Sequence, residues 1–196
     1  MIKAPALVSC LLLLACPAQA QNFTSVYTQV DFKKCRHLQK ADGFSFGGSW
    51  VCPGVGGFDV VVADADARDI ISFDSKNPKN CAGLKTFSGF NTSGKTIEWR
   101  LLHGKPIAAI QRWTVSIDPD KAEKTATWLV VTKLGAKDSC HMHYVAGAFP
   151  KANEAARNAA DTKSAAFNCE KDAPRFDPAD KAPPIVMEPC SVLRAN

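Results

Sequence analysis

The sequence lacks three features that would each point to a class of function. Beyond its first twenty residues it has no apolar run close to the roughly 20 residues that a transmembrane helix needs. It has no Lys/Arg-rich run of the kind that binds nucleic acid, and no CxxC pair of the kind that holds structural zinc. These absences argue against a membrane-spanning protein, a nucleic-acid-binding protein and a zinc-stabilised domain.

The first twenty residues have the pattern of a secretory signal peptide. Lys3 supplies the positive charge, Ala4 to Ala15 is an apolar stretch too short to span a bilayer, and Ala18 to Ala20 reads A-x-A. Cleavage after Ala20 would leave Gln21 as the first residue of the mature chain. We therefore expect residues 1–20 to be a signal peptide and the protein to be periplasmic or secreted.

A second interpretation of the leader is lipidation. Leu13 to Cys16 loosely resembles a bacterial lipobox, in which Cys16 would carry the lipid and become the first residue. Leu14 fits that pattern poorly, whereas the A-x-A site fits an ordinary signal well. Cleavage at Ala20 is the expectation, and lipidation of Cys16 is its alternative.

The length and the net charge of the chain after the leader limit its domain organisation and its partners. Residues 21–196 are enough for one domain with a substantial core, and we find no internal repeat or linker. The net charge is +5, and Lys3 is the only charged residue of the leader, so the mature chain carries +4. This mild, dispersed positive charge favours an anionic partner and predicts no nucleic-acid binding.

Six of the eight cysteines lie beyond the leader, an even number expected to form disulfides in an oxidising compartment. Six cysteines can pair in many ways, and the sequence does not choose among them. Closeness along the chain favours Cys35 with Cys52 and Cys140 with Cys169. That leaves Cys81 with Cys190, which would tie the C-terminal tail to the body.

Strand-like segments follow one another with short turns between them. Residues 96–102 alternate Ile97, Trp99 and Leu101 with Glu98 and Arg100, the pattern of a half-buried strand. Similar runs cover residues 23–31, 44–50 with a bulge or bend at Gly47 and Gly48, 58–63, 70–73, 106–117, 125–134 and 140–145. The four tryptophans lie in strand-like runs, so they are expected in the core: Trp50, Trp99, Trp113 and Trp128. This order predicts antiparallel sheet.

One segment has helical periodicity instead. Between Pro150 and Cys169 the alanines and Phe167 form a stripe at helical spacing, and Arg157 and Asp161 are placed for an i,i+4 pair on the outer face. The proline-rich tail, residues 172–196, should run extended over the surface. The predicted fold is therefore α+β: a mainly antiparallel sandwich or half-barrel, disulfide-braced, with one C-terminal helix packed on it.

Residues 89–96 match the phosphate-binding pattern G-x-x-x-x-G-K-[ST], in which Lys95 and Thr96 would contact phosphate and Mg²⁺. That chemistry requires a helix directly after the motif, whereas residues 97–102 alternate as a strand. We interpret the match as coincidence in a polar hairpin loop and predict no bound cofactor.

Two sets of side chains are candidates for metal binding. His141 and His143 are two residues apart on a strand, which would place both imidazoles on one face as zinc or copper ligands, although no third ligand is evident. Asp64, Asp66 and Asp69 resemble a calcium loop, but Arg68 and Asp69 occupy positions where that loop needs an oxygen ligand and a glycine. An exposed turn, with Arg68 paired to an aspartate, is the simpler interpretation.

We predict no catalytic residue. Ser49 and Ser88 lie in glycine-containing segments without a histidine close by in sequence, and the mature cysteines are expected in disulfides rather than as thiolates. No pair of carboxylates can be placed from the sequence. This pattern favours a non-enzymatic protein.

The segment from Trp50 to Asp69, with Glu98–Arg100 and Arg112–Trp113, resembles small exported cysteine-containing proteins of alphaproteobacteria. That group is generally uncharacterised. The resemblance implies an envelope location and assigns no site residue.

The functional expectation is thus a non-enzymatic envelope protein that binds an anionic ligand or another envelope protein. One alternative is an exported enzyme inhibitor, although the basic charge weakens it for a basic target such as lysozyme. The other alternative is a metal-binding or metal-dependent protein that uses His141 and His143.

Overall fold

The computed structural model describes residues 22–39, 47–74, 76, 80–135, 138–181 and 185–187. The predicted signal peptide and the lipidation alternative at Cys16 lie outside these residues. Twelve strands, one α-helix and three short 3-10 helices are described. The strands and the α-helix are β1 (Phe23–Gln29), β2 (Arg36–Gln39), β3 (Ser49–Cys52), β4 (Val60–Asp64), β5 (Asp69–Ser72), β6 (Lys85–Phe87), β7 (Asn91–Leu102), β8 (Lys105–Ser116), β9 (Thr125–Lys133), β10 (Cys140–Ala146), α1 (Ala152–Lys163), β11 (Arg175–Asp177) and β12 (Ile185–Met187).

The main sheet has six strands in the order β1-β7-β8-β9-β10-β11. All neighbours are antiparallel except β10 and β11, which run parallel because α1 lies between them in the chain. A second sheet has the order β2-β3-β4-β5, and β6 pairs with β12. The predicted mainly antiparallel α+β fold is confirmed, with sheets that do not close into a barrel.

The larger core lies between the main sheet and the four-stranded sheet. Trp99, Trp113 and Trp128 are at most 3% exposed there, as predicted, whereas Trp50 packs against this core from its edge. Phe73 meets Trp99 edge-on, with 5.5 Å between ring centroids. This geometry suits aromatic pairs, so the tryptophans hold the two sheets together.

The opposite face of the main sheet is covered by α1. Ala152, Ala156 and Ala160 are buried against apolar side chains of β8, β9 and β10, namely Ala108, Ile110, Leu129, Val131, Met142 and Val145. Because alanine carries only a methyl group, the helix lies close to the sheet. The layers are therefore helix, six-stranded sheet and four-stranded sheet.

The predicted Arg157–Asp161 pair on the outer face of the helix is wrong. Arg157 instead donates to Glu98 of β7, with Nε 2.6 Å from Oε1 and Nη2 3.2 Å from Oε2. Asp161 accepts two bonds from Arg100, at 2.9 and 2.6 Å. Ser25 of β1 links both pairs, since it donates to Glu98 and accepts from Arg100, each at 2.5 Å.

We call Glu98, Arg100, Arg157 and Asp161 the charge cluster. Glu98 and Arg100 are only 9% and 8% exposed, so each buried charge is stabilised by its partner on the helix. Burial alone would raise the pKa of Glu98, but hydrogen bonds from Arg157 and Ser25 and the charges of Arg157 and Arg100 outweigh it and leave the pKa below its usual value. The cluster fastens α1 to β7.

Two of the predicted disulfides are confirmed, Cys35–Cys52 and Cys140–Cys169. The first joins the segment before β2 to the end of β3, and the second joins β10 to the segment after α1. Cys81 is also disulfide-bonded, but its predicted partner Cys190 lies outside the described residues. In the part of the chain that the structure describes, no helix is both long and apolar enough to cross a membrane.

Two further details differ from expectation. The strand β2 was not predicted, because its sequence Arg-His-Leu-Gln carries no β-branched residue. In the described part of the C-terminal tail, residues 172–181 and 185–187, the expected extended run over the surface holds only in part: β11 extends the main sheet, Ala179–Lys181 form a short 3-10 helix, and the ring of Phe176 stacks on that of Tyr144 with 5.1 Å between centroids. Short segments whose sequence only weakly predicts a strand thus become strands because they pair with a neighbouring strand.

Candidate functional site

An open cleft of about 980 Å³ lies at one end of the sandwich. Its walls come from four parts of the chain: Arg68 in the turn between β4 and β5, residues 88–90 before β7, residues 115–128 of the β8–β9 hairpin, and the end of β10 at Ala146 and Ala148. The volume lies at the upper end of the range for sites that enclose small organic ligands. We call this feature the apolar cleft.

Close backbone contacts hold the walls of the cleft in place. A methyl group at Gly89 would lie 2.3 Å from the carbonyl oxygen of Ser116, and one at Gly147 would lie 1.9 Å from Oγ1 of Thr127. The amide of Gly147 also donates to the carbonyl of Thr127 at 2.7 Å. Both positions therefore need glycine because the neighbouring strand leaves no room for a Cβ atom.

The lining of the cleft is mainly apolar. Phe90 and Ile117 are 49% and 50% exposed at its sides, while Val115 and Trp128 are buried at 2% and 3%. The indole N–H of Trp128 has no hydrogen-bond partner within the described residues. Large side chains that stay half exposed beside a concave surface indicate a binding site more than a folding requirement.

Arg68 provides positive charge at the edge of the cleft. Its Nε donates to the carbonyl of Ser88 at 2.9 Å, and its Nη1 donates to the carbonyl and the carboxylate of Asp66, at 2.9 and 2.8 Å. The guanidinium also lies over the ring of Phe90, 5.1 Å from its centroid. These contacts fix the orientation of the cation, while the carboxylate of Asp66 is 75% exposed and so neutralises it weakly.

The acidic group of the cleft is engaged differently. Asp118 accepts a hydrogen bond from the amide of Asp120 at 3.1 Å and lies 3.5 Å from the ammonium of Lys124. Its charge is therefore balanced within its own turn. The arrangement can accommodate a molecule with an apolar body and an anionic group that reaches Arg68.

The two candidate metal ligands of β10 do not share a face. The pairing of β10 with β9 shifts between His141 and His143, so a bulge separates them. His141 lies 2.7 Å from the hydroxyl of Tyr144 in the sandwich core, whereas His143 lies 2.6 Å from the carboxylate of Asp177 on β11. The expectation of one shared face is wrong, and metal binding by these residues stays a prediction.

Both histidines are buried, and this changes their protonation. Burial lowers the pKa of His141 to about 3, and the charge of Lys85 acts in the same direction. Burial also lowers the pKa of His143, against the opposing effect of Asp177. Within the described ranges, no three His, Cys, Asp or Glu side chains lie close enough together to hold a metal ion.

The aspartates of the suspected calcium loop are used elsewhere. Asp66 pairs with Arg68, as the exposed-turn interpretation predicts, and Asp69 accepts hydrogen bonds from the amide and hydroxyl of Ser93 at 2.6 and 2.7 Å. Asp64 is the last residue of β4. The three carboxylates therefore have separate structural roles.

The phosphate-binding pattern also lacks its structural context. Residues 91–96 belong to β7, so the prediction of a hairpin loop is wrong for these residues. The chain continues after Lys95 as a strand, whereas the phosphate-binding motif requires a helix there. The prediction that the sequence contains no nucleophile elbow overlooked one match, because residues 43–47 read Gly-Phe-Ser-Phe-Gly and have the letters G-x-S-x-G. Ser45 lies outside the described residues, and the chain continues from Gly47 into the strand β3 rather than a helix.

The apolar cleft was not predicted from the sequence. Arg68 was predicted as an ion-pair partner and Trp128 as a core residue, and both predictions are confirmed, but no ligand was assigned to either residue. The available signal was the presence of Phe90 and Ile117 beside turns, where large apolar side chains have no core to enter.

In comparisons with known proteins, no family model, no curated protein and no solved structure matches the chain.

Proposed function

We propose that this chain is a non-enzymatic envelope protein, exported by its N-terminal signal, that binds an amphipathic anion in the apolar cleft. The observation that carries the proposal is the cation Arg68, held over Phe90 at the edge of an apolar cleft of about 980 Å³. The apolar part of the ligand would lie along the exposed side chains of Phe90 and Ile117, above the buried Val115 and Trp128. Its anionic group, a carboxylate, sulfate or phosphate, would face Arg68.

The described disulfides support an oxidising location, since such bonds rarely persist in the cytosol. The mild positive charge of the mature chain favours an anionic ligand. Hydrogen bonds already orient the side chain of Arg68, so little of its conformational entropy remains to be lost when an anion binds.

The first experiment measures binding of dodecanoate by calorimetry and by tryptophan fluorescence, because Trp128 lines the cleft. Arg68→Gln should raise the Kd about fivefold, the effect of losing about 1 kcal/mol from a partly exposed charge. Arg36→Gln removes the same charge from the exposed strand β2 and should leave the Kd unchanged. Dodecanol should bind more weakly and respond little to the loss of Arg68.

A second pair of variants tests the location. Ala148 is exposed and lines the cleft, so Ala148→Trp should obstruct part of it and weaken dodecanoate binding without disturbing the core. Ala173→Trp adds the same side chain at an exposed position that does not line the cleft. Failure of the wild-type protein to bind dodecanoate or dodecyl sulfate, or equal binding by both tryptophan variants, would refute the proposal.

A further inference from the structure

The strand β1 forms an edge of the main sheet, and its backbone groups alternate in direction. At one end of β1 the carbonyl of Asn22 accepts a hydrogen bond from the amide of His103, which directly follows β7. At the other end the amide of Val30 donates to the carbonyl of Lys95 in β7. In an antiparallel pair the bonded residues alternate, so the even-numbered residues of β1 bond to β7. The amide and carbonyl groups of Phe23, Ser25, Tyr27 and Gln29 therefore point away from the sheet.

Two other edge strands of the two sheets, β11 and β2, are protected against pairing with another strand. β11 is three residues long, carries Arg175 and Asp177, and lies between Pro174 and Pro178. β2 begins with Arg36 and has an irregular register against β3. Charges, prolines, short length and bulges are the features by which proteins prevent edge-to-edge association.

β1 has none of these protections. It is seven residues long, its sequence Phe-Thr-Ser-Val-Tyr-Thr-Gln contains no charge and no proline, and its register with β7 is continuous. Val26 and Tyr27, in its centre, are 38% and 55% exposed. An uncharged, regular and partly apolar edge of this length is suited to receive another strand.

We infer that the occupant of this edge is β1 of a second copy, paired antiparallel about a two-fold axis at Val26. In this register Val26 faces Val26 of the other copy, Tyr27 faces Ser25, and Gln29 faces Phe23. All four outward-pointing residues then fall in hydrogen-bonded pairs, and every residue of β1 has a partner. A two-fold axis makes the interface self-complementary, and an uncharged strand meets its own copy without repulsion.

The side chains are compatible with this pairing. Val26 occupies a non-hydrogen-bonded pair on the axis, the type in which opposing side chains lie closest. On the other face, Tyr27 would lie beside Ser25 of the second copy, next to the charge cluster that Tyr27 already contacts through Arg157 at 3.2 Å. The two main sheets would join into one sheet of twelve strands.

Sedimentation velocity of the purified protein, measured over a concentration series, should show a species of twice the monomer mass. Val26→Lys places two ammonium groups face to face and removes the valine contact, so it should raise the dimer dissociation constant about tenfold or more. A monomer at all concentrations would overturn the inference. So would a dimer that Val26→Lys leaves unchanged, because such a dimer would use another surface.

Cysteine cross-linking tests the register itself. Val26→Cys should form an intermolecular disulfide under mild oxidation, because paired Cα atoms on the axis fall within disulfide range. Thr24→Cys is the matched control: it is exposed and on the same face, but in this register it would face Thr28 rather than itself. Cross-linking of Val26→Cys well above Thr24→Cys supports the register, and equal cross-linking of the two variants contradicts it.

Discussion

His141 makes a specific pH dependence of stability testable. Its side chain is 3% exposed, its Nδ1 lies 2.7 Å from the hydroxyl of Tyr144, and it meets that ring edge-on. Burial lowers its pKa to about 3, and the nearby charge of Lys85 contributes in the same direction. In the unfolded chain the imidazole has its ordinary pKa of about 6.5.

The direction of the effect follows from proton binding. Between these two pKa values the unfolded state binds more protons than the folded state, so the free energy of unfolding falls as the pH falls. Each pH unit in this window corresponds to about 1.4 kcal/mol. Between pH 7.5 and pH 5 His141 alone should therefore cost about 2 kcal/mol, and the loss should continue towards pH 3.

Other groups act in the same direction. The pKa of His143 is also lowered by burial, so it adds to the slope below pH 6.5. Glu98 has a lowered pKa as well, but as a carboxylate its contribution is present above about pH 4.5 and is lost as the pH falls further. The interval from pH 7.5 to pH 5 therefore isolates the histidines.

The assay is urea unfolding of wild type and His141→Phe across this interval. The variant leaves the hydroxyl of Tyr144 without its partner, so it should lose about 1–3 kcal/mol at pH 7.5. The informative quantity is the change between pH 7.5 and pH 5, which should be about 2 kcal/mol smaller in the variant. His103→Asn, at an exposed turn position with φ of 50°, should keep the wild-type change. An unaltered pH dependence in His141→Phe would refute the reasoning.

Two further predictions concern stability. Asp161→Asn leaves the buried guanidinium of Arg100 without its carboxylate, so it should lower the free energy of unfolding in urea by about 3 kcal/mol. Glu154→Gln, at an exposed helix position, is the control and should cost about 0.5 kcal/mol or less. Similar losses in the two variants would contradict the role of the charge cluster. Gly147→Ala should cost about 1–3 kcal/mol by the same measurement, because its methyl group meets Oγ1 of Thr127. Adding Thr127→Ala should recover part of that loss, and full additivity would show that the contact is not responsible.

The strands of the main sheet were predictable because their two faces differ in chemistry. Ile97, Trp99 and Leu101 alternate with charged residues, and the structure places the apolar set in the core between the sheets. The helix was predictable for a similar reason, since Ala152, Ala156 and Ala160 repeat at helical spacing and face the sheet. Periodicity within one element reports which of its faces is buried.

The charge cluster could not be predicted in this way. Glu98 and Arg100 had the pattern of a solvated strand face, and Arg157 and Asp161 had the pattern of a solvated helix face. The structure brings these two polar faces together, so that each charge finds its partner across the layer rather than along its own element. Local spacing cannot show that two faces which both look exposed are complementary to one another. The bulge between His141 and His143 could not be predicted for a related reason, because the pairing register of β10 depends on the neighbouring strand β9.

The apolar cleft could not be predicted from local sequence patterns either, because the residues that line it come from turns and loops that are distant in sequence. Arg68 and Phe90 meet only because the β4–β5 turn packs beside the chain entering β7, where Arg68 and Asn91 form a bridge. Yet Phe90 and Ile117 carried a usable signal, since a large apolar residue next to a turn has no core to fill and is retained for another reason. If that reason is ligand binding, the affinity for dodecanoate should depend on Arg68 and on the open space beside Ala148, while Ala148→Trp should leave the stability of the fold unchanged.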